Sequence, residues 1–486
     1  MLFNSLEFVI FFPLVTLIYF SIPQKYRWLF LLGASYVFYM GWNASYALLL
    51  FMSTFITYTA SLLIDRVSKQ KTKKMWLALS IVINISILFT FKYFNFFFDT
   101  LYALFDMLHW SYTPISYSLV LPVGISFFTF QALGYSIDVY RGDVPVQRHF
   151  GKYALFVSFF PQLVAGPIER SKNLLPQFDE NHRFEYHNAV SGLRLMAWGF
   201  FKKIVIADTV CTHVNSVYNN LDAYSGFAIL IATILFAFQI FCDFSGYSDI
   251  ARGCARIMGF RLMRNFDHPY FATSVKDFWR RWHISLSTWF KDYIYIPLGG
   301  NRKGEARTCF NLFITFLCSG LWHGANWTFV IWGGLHGAFQ IIGRFTQPVR
   351  NKINHTLHID KISHIHRGVQ MLFTFALVCF GWIFFRANSL SDAWLAITKI
   401  FTLDIPNVSE LFGILKSIFG TRAELYRLLL TLPVFIVASV IDYNCSIEKK
   451  VKALPAILRF IVYVIIVVYV LLFARAEMQD FIYFQF

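Results

Sequence analysis

Charge is what this sequence has least of. Only 14% of its 486 residues are Asp, Glu, Lys or Arg, against about 25% in a soluble domain. Such a chain cannot cover a water-facing surface, and 57% of its residues are hydrophobic. Acidic groups are scarcest: 27 stand against 43 basic ones, a formal charge of +16. The basic residues fall in short loops between apolar runs, which reads as positive-inside bias and not as a nucleic-acid footprint. The seven cysteines include no C-x-x-C pair and mostly lie in apolar runs, so they read as small buried residues, not bridges or ligands. The G-x-S-x-G elbow, the H-E-x-x-H metal helix, the P-loop and the G-x-G-x-x-G fingerprint are all missing, which sets aside the common hydrolase, zinc and nucleotide devices. No internal repeat, low-complexity segment or flexible linker appears, and residues 1–486 read as a single membrane domain.

What is there is a succession of apolar segments. Spans are expected at 6–22, 28–41, 46–64, 76–91, 119–140, 191–210, 228–241, 310–323, 326–343, 368–385, 428–440 and 457–472. The predicted fold class is an all-α polytopic membrane protein, with about 10 to 12 transmembrane helices plus re-entrant and interfacial helices around a central polar cavity. The run 153–170, interrupted by Pro161, Gly166 and Pro167, is the re-entrant candidate. Residues 2–22 lack a basic n-region and a small-residue cleavage site, so they read as the first span. The loop Asp65 to Lys74 carries Arg66, Lys69, Lys71, Lys73 and Lys74 and should be cytoplasmic. Counting back three spans puts the N-terminus outside. Residues 95–118 hold no Lys or Arg and read as external.

The densest chemistry runs from Asp277 to Trp332. It contains Trp279, Arg280, Arg281, Trp282 and His283, the turn Gly299 to Gly304, and Gly320-Leu-Trp-His-Gly-Ala-Asn-Trp327. His323 ends an apolar run that begins at Phe310. From a helix start near Thr308 it stands about 22 Å along, inside a hydrocarbon core about 30 Å thick. An ionisable group there is functional by default. If the preceding segment is helical, Trp279, His283 and Ser287 share one face, with Arg280, Arg281 and Lys291 on the polar side. Asp243 to Asp249 offers carboxylates and hydroxyls for a polar pocket, but Asp243 and Asp249 are six apart and do not share a helical face. His336 reads as a core histidine or a cavity liner. His355, His358, His364 and His366 have spacings that suit a metal, yet their basic context reads as a solvated loop, and no metal site is expected.

The string from Trp279 to Trp289, the Gly299–Gly304 turn and the Gly320–Trp327 motif resemble the membrane-bound O-acyltransferase family. Further likeness lies in Pro122 to Phe127, Asp138 to Gly142, Phe160 to Pro167 and Phe241 to Asp249, and it points to the bacterial branch that O-acetylates alginate and peptidoglycan. The resemblance implies that His323 is the catalytic base and His283 its partner, with an acyl-histidine relay as the other route. Trp279, Arg280, Ser287, Trp322, Asn326, Asp243 and Ser245 are the expected substrate-binding residues. The same resemblance implies no bound cofactor, a thioester donor (acetyl-CoA or an acyl carrier protein), a glycan acceptor and an extracytoplasmic acetyltransferase partner. It implies a place in the bacterial cytoplasmic membrane. D-alanyl transfer to teichoic acid is the nearest alternative. A transporter or scaffold would share the broken helices and the polar cavity, but would leave the Trp/His motif without a purpose.

The charge pattern makes the topology testable. A single cysteine replacing Lys71 should stay unlabelled by an impermeant thiol reagent in intact cells and react once the membrane is opened. Labelling in intact cells would invert the orientation.

Overall fold

All regular structure among the described residues is helical, the outcome expected where no water is present to satisfy an open sheet edge. The computed structural model describes residues 1–117, 119–356, 363–445, 447–473 and 481–482. Among the described residues, six helices are long and apolar enough to cross a bilayer: Tyr46–Arg66, Gln70–Met107, Gly226–Ile257, His364–Arg386, Arg422–Asn444 and Ala456–Phe473. The all-α polytopic membrane fold is therefore present. The remaining expected spans are shorter or more polar helices, such as Leu6–Ser21, Gln24–Met40 and Glu305–His323. Ala456–Phe473 has no buried residue, and Ile457 and Leu471 are 75% and 71% exposed, so it presents apolar side chains all round, as a lipid-facing helix does.

Where one domain is expected over residues 1–486, contacts group the chain into two compact units. One is Met1–Met196 with Ser248–Arg264, and the other is Ala197–Tyr247 with Asn265–Phe486. In the first unit, the helix expected to end near residue 91 continues through a π-turn at Phe89–Tyr93 to Met107. The segment read as external thus begins as helix. The broken run 153–170 folds as Phe150–Ser158, a bend at Phe159, and Phe160–Leu163. Polar side chains mend the break: Gln131 and Gln162 both donate to the Phe156 carbonyl, at 2.6 and 2.9 Å, and the Phe160 N–H reaches Ser35 Oγ at 3.1 Å. Gly124, at φ 76°, lies so close to this element that a Cβ would stand 2.8 Å from the Leu163 carbonyl oxygen.

The second unit is built on a helical hairpin, Glu305–His323 and Trp327–Thr356. The two backbones nearly touch. A Cβ on Gly320 would lie 2.2 Å from the Phe329 carbonyl oxygen, and one on Gly333 would lie 2.3 Å from that of Phe316. Gly324 is closed off by the Phe329 ring. The basic loop expected from Arg344 to Arg367 is mostly helix, since one helix runs on to Thr356 and the next starts at Ser363. His358 lies outside the described residues, and no three His, Cys, Asp or Glu among the described residues are placed to hold a metal. All seven cysteines are free.

Glu169, in the loop after Phe160–Leu163, is 2% exposed and accepts the Met263 N–H. Burial pushes its carboxyl up to about 7 from the ordinary 4.5, opposed by backbone hydrogen bonds and by Arg252 and Arg170. The folded state then binds a proton that the unfolded chain has released, so this group's contribution is full below about pH 4.5 and is lost as pH rises through about 7. Glu169→Gln should flatten the fall in thermal stability over that window. An unchanged pH profile in a melting series would remove Glu169 as its source.

Candidate active site

Every residue of the Trp/His stretch lies in the second unit. The helix Val275–Arg281 is capped by Ser274, whose hydroxyl accepts the Asp277 N–H at 3.1 Å. It ends at Trp282, and His283 adopts a left-handed φ of 43° before the helix Ile284–Phe290 begins. A positive φ is uncommon for a residue with a Cβ and marks a position fixed by its surroundings. Here Asn265 fixes it. Its Oδ1 accepts from Ser285 N–H at 3.1 Å, from the Ser285 hydroxyl at 2.8 Å and from His283 Nδ1 at 3.2 Å, and its carbonyl accepts the Ile284 N–H at 2.9 Å. Nδ1 is thus the protonated nitrogen of His283, and Nε2 keeps the lone pair. The break also divides the face expected to be shared: Trp279 and Ser287 line a cavity together with Arg280, whereas His283 is fully buried, 4.5 Å from the Phe244 ring.

The cavity has a volume of about 2260 Å³ and is walled by both helices of the hairpin and by the Val275–Phe290 segment. Among the described residues, eight Lys or Arg side chains line it, with Asp277 as the sole carboxylate. Asp277 pairs with Arg280 and Arg281, and Arg344 pairs with Glu305. Lys276, Lys291, Arg302 and Arg350 form no ion pair among the described residues. From this charged end a polar stripe runs inward along one face of Glu305–His323. Asn311, Thr315, Ser319 and His323 follow at four-residue spacing, all buried. Asn311 donates to the Gly300 carbonyl at 2.9 Å, joining the stripe to the glycine turn, and Thr315 and Ser319 line the cavity.

His323 is 2% exposed and is not among the cavity-lining residues. It lies four residues, about 6 Å along the helix axis, beyond Ser319. Its ring packs 4.9 Å from Trp332, 5.0 Å from Trp322 and 5.4 Å from Phe385. Trp322 also stands 6.0 Å from His283, so one indole touches both histidines. The glycines that flank His323, Gly320 and Gly324, open no space beside it, because Phe329 of the neighbouring helix fills both positions.

Three expected substrate-binding residues have other partners. Asn326 accepts the Thr328 N–H at 2.9 Å, capping the return helix. Asp243 pairs with Lys203 at 2.8 Å, Lys203 also pairs with Asp208 at 2.8 Å, and Ser245 accepts from Lys202 at 2.9 Å. The π-turn Phe201–Ala207 carries both lysines into this buried cluster. Phe481 and Ile482 end there too, the Ile482 N–H donating to Asp243 at 2.7 Å and the Phe481 ring lying 5.7 Å from Phe244. Nothing in the sequence signalled that insertion. The polar stripe was legible as a four-residue repeat inside an apolar run.

Sequence comparison decides what this arrangement belongs to. The chain is 40% identical over 414 residues to a probable alginate O-acetylase of Azotobacter vinelandii, covering 85% of this chain and 80% of that protein. It is 37% identical over 431 residues to the peptidoglycan O-acetyltransferase of Helicobacter pylori, covering 81% and 78%. The profile of the membrane-bound O-acyltransferase family matches residues 144–382. The chain belongs to that family. This O-acyltransferase is also 28% identical to the teichoic acid D-alanyltransferase of Bacillus subtilis over 292 residues, 56% of this chain and 70% of that one. The matched region contains both His283 and His323.

Asn265→Ala should leave Ser285 and His283 without their shared acceptor in this acyltransferase. Each buried donor left unmet costs about 1–3 kcal/mol, so the purified variant should melt below the parent protein. A melting temperature equal to the parent's would show that Asn265 does not hold the left-handed turn.

Proposed function

We propose that this O-acyltransferase moves an acetyl group from a cytoplasmic thioester towards hydroxyls of an extracytoplasmic glycan in the bacterial cytoplasmic membrane, with His323 as the general base. The observation that carries the reading is the polar stripe Asn311–Thr315–Ser319–His323, which leads from a cation-lined cavity to an imidazole at the helix end. Alginate or peptidoglycan is the acceptor by likeness to relatives named for acting on them.

In this mechanism the neutral His323 imidazole removes the proton of the attacking hydroxyl as its oxygen adds to the thioester carbonyl. The tetrahedral intermediate collapses, the C–S bond breaks, and the imidazolium returns its proton to the departing thiolate. His283, its Nε2 lone pair set by Asn265, orients the reacting groups through Trp322. If His323 itself carries the acyl group, the same residues serve two shorter steps. The phosphates of coenzyme A, or of a carrier protein's pantetheine arm, match in chemistry the cations Lys276, Lys291, Arg302 and Arg350, which form no ion pair among the described residues. An extracytoplasmic acetyltransferase partner completes delivery to the polymer.

His323→Ala should lower acyl transfer by about 10²–10⁴ while the protein still inserts and elutes as a folded species. His283→Ala should be milder. Replacing Lys276 and Arg302 by Ala should raise the donor KM more than it lowers kcat, and the difference should shrink at high salt. Glycan O-acetylation in cells lacking the native protein, together with thioester turnover by purified protein, measures all three. Near-parental transfer by folded His323→Ala protein would end the general-base reading.

A further inference from the structure

Between the cavity and His323 stands an indole that is held in place. Trp279 lines the cavity beside Phe316, 5.1 Å from that ring, and also meets Trp332 at 5.6 Å. Trp332 in turn packs 4.9 Å from His323. The way from the cavity to the imidazole is therefore walled by Trp279 and Trp332. A tryptophan on a cavity wall could swing about two side-chain torsions, but this one is tied. Its Nε1–H donates to Nδ1 of His336 at 3.2 Å, and His336 is fully buried.

The tie is specific in its protonation and in its fit. Because Nδ1 accepts, the neutral ring carries its proton on Nε2. That edge lies against Gly381, where a Cβ would stand 2.9 Å from Nε2. His336 is further enclosed by Trp332 at 5.0 Å and Phe339 at 5.9 Å. A residue with a Cβ at 381 would push the imidazole off its seat and release the indole. Three positions on three helices, 279, 336 and 381, thus fix one wall.

We propose that Trp279, pinned by His336 over Gly381, is the size filter of this enzyme: it admits an acetyl-sized group to His323 and turns away longer acyl chains. The proposal deepens the thioester-transfer reading and rests on it. His336 is a positioning residue that acts through Trp279. A hydrophobic wall discriminates a chain longer by one methylene by about 10- to 200-fold, so relaxing it is measurable.

The test uses the full-length protein in lipid nanodiscs with His323→Cys. Methyl and butyl methanethiosulfonate are applied, and labelling is read by mass spectrometry of the peptide carrying position 323. With the wall intact, the methyl reagent should react at least about tenfold faster than the butyl reagent. Trp279→Phe, His336→Leu and Gly381→Ala should each cut that ratio by about tenfold, and Trp279→Phe with His336→Leu should do no more than either alone. His336→Gln, whose amide oxygen can accept the indole N–H, should keep the ratio. In proteins that retain His323, the same releasing changes should raise butyryl-CoA consumption relative to acetyl-CoA by a similar factor. Equal methyl and butyl rates in the parent, or one ratio throughout the folded series, overturns the filter. Thioester consumption that survives His323→Ala, or is absent altogether, overturns the transfer reading instead and leaves the labelling ratio to decide the filter.

Discussion

The close approach of two helix backbones at Gly320 and Gly333 is the constraint on which the second unit depends. With carbonyls packed against α-carbons, the hairpin cannot rotate about either helix axis without losing its fit. That fixes which face of Glu305–His323 looks inward, and therefore points Asn311, Thr315, Ser319 and His323 along one line. It equally fixes His336 on the return helix, four residues beyond Trp332 and within reach of Trp279. One glycine contact thus places His323, the polar stripe that ends on it and His336 beside Trp279. A larger residue at either glycine overpacks the crossing, at a cost of about 1–3 kcal/mol or more.

The second organising feature is how the chain spends its few charges. Cations line the cavity, and Lys276, Lys291, Arg302 and Arg350 have no acidic partner among the described residues, while His323 packs against the aromatic rings of Trp322, Trp332 and Phe385. In the proposed reaction, phosphate recognition and group transfer call for opposite environments: the first for an accessible field of positive charge, the second for a dry site in which a neutral base works at short range. The polar stripe links the two without bringing a full charge to the histidine. Buried carboxylates are treated differently again, since Asp208 and Asp243 share Lys203 and so are not left uncompensated.

His283 shows why a motif read as a helix face can mislead. Spacing alone places Trp279, His283 and Ser287 together, and helical periodicity is usually a sound guide in an apolar stretch. Here Asn265, eighteen residues upstream, supplies four hydrogen bonds to the segment and turns the chain through a left-handed residue. Long-range bonding overrode local propensity. Trp279 and Ser287 face the cavity, and the histidine between them faces the core.

The sequence by itself determined the membrane class, the helical fold and the family, because these follow from composition, hydrophobic period and short motifs that are local along the chain. The stripe at 311, 315, 319 and 323 was also written there as a period of four. Only the tertiary structure decided which side chains meet. It put the cavity one turn short of His323, gave Asp243 and Ser245 to a lysine cluster and Asn326 to a helix cap, filled the space beside Gly320 with a neighbouring backbone, and tied Trp279 to His336. The physical reason is that, the Asn326 cap apart, such contacts join different helices or segments up to 239 positions apart, and their geometry is set by how close two helices approach, a distance that no local pattern records.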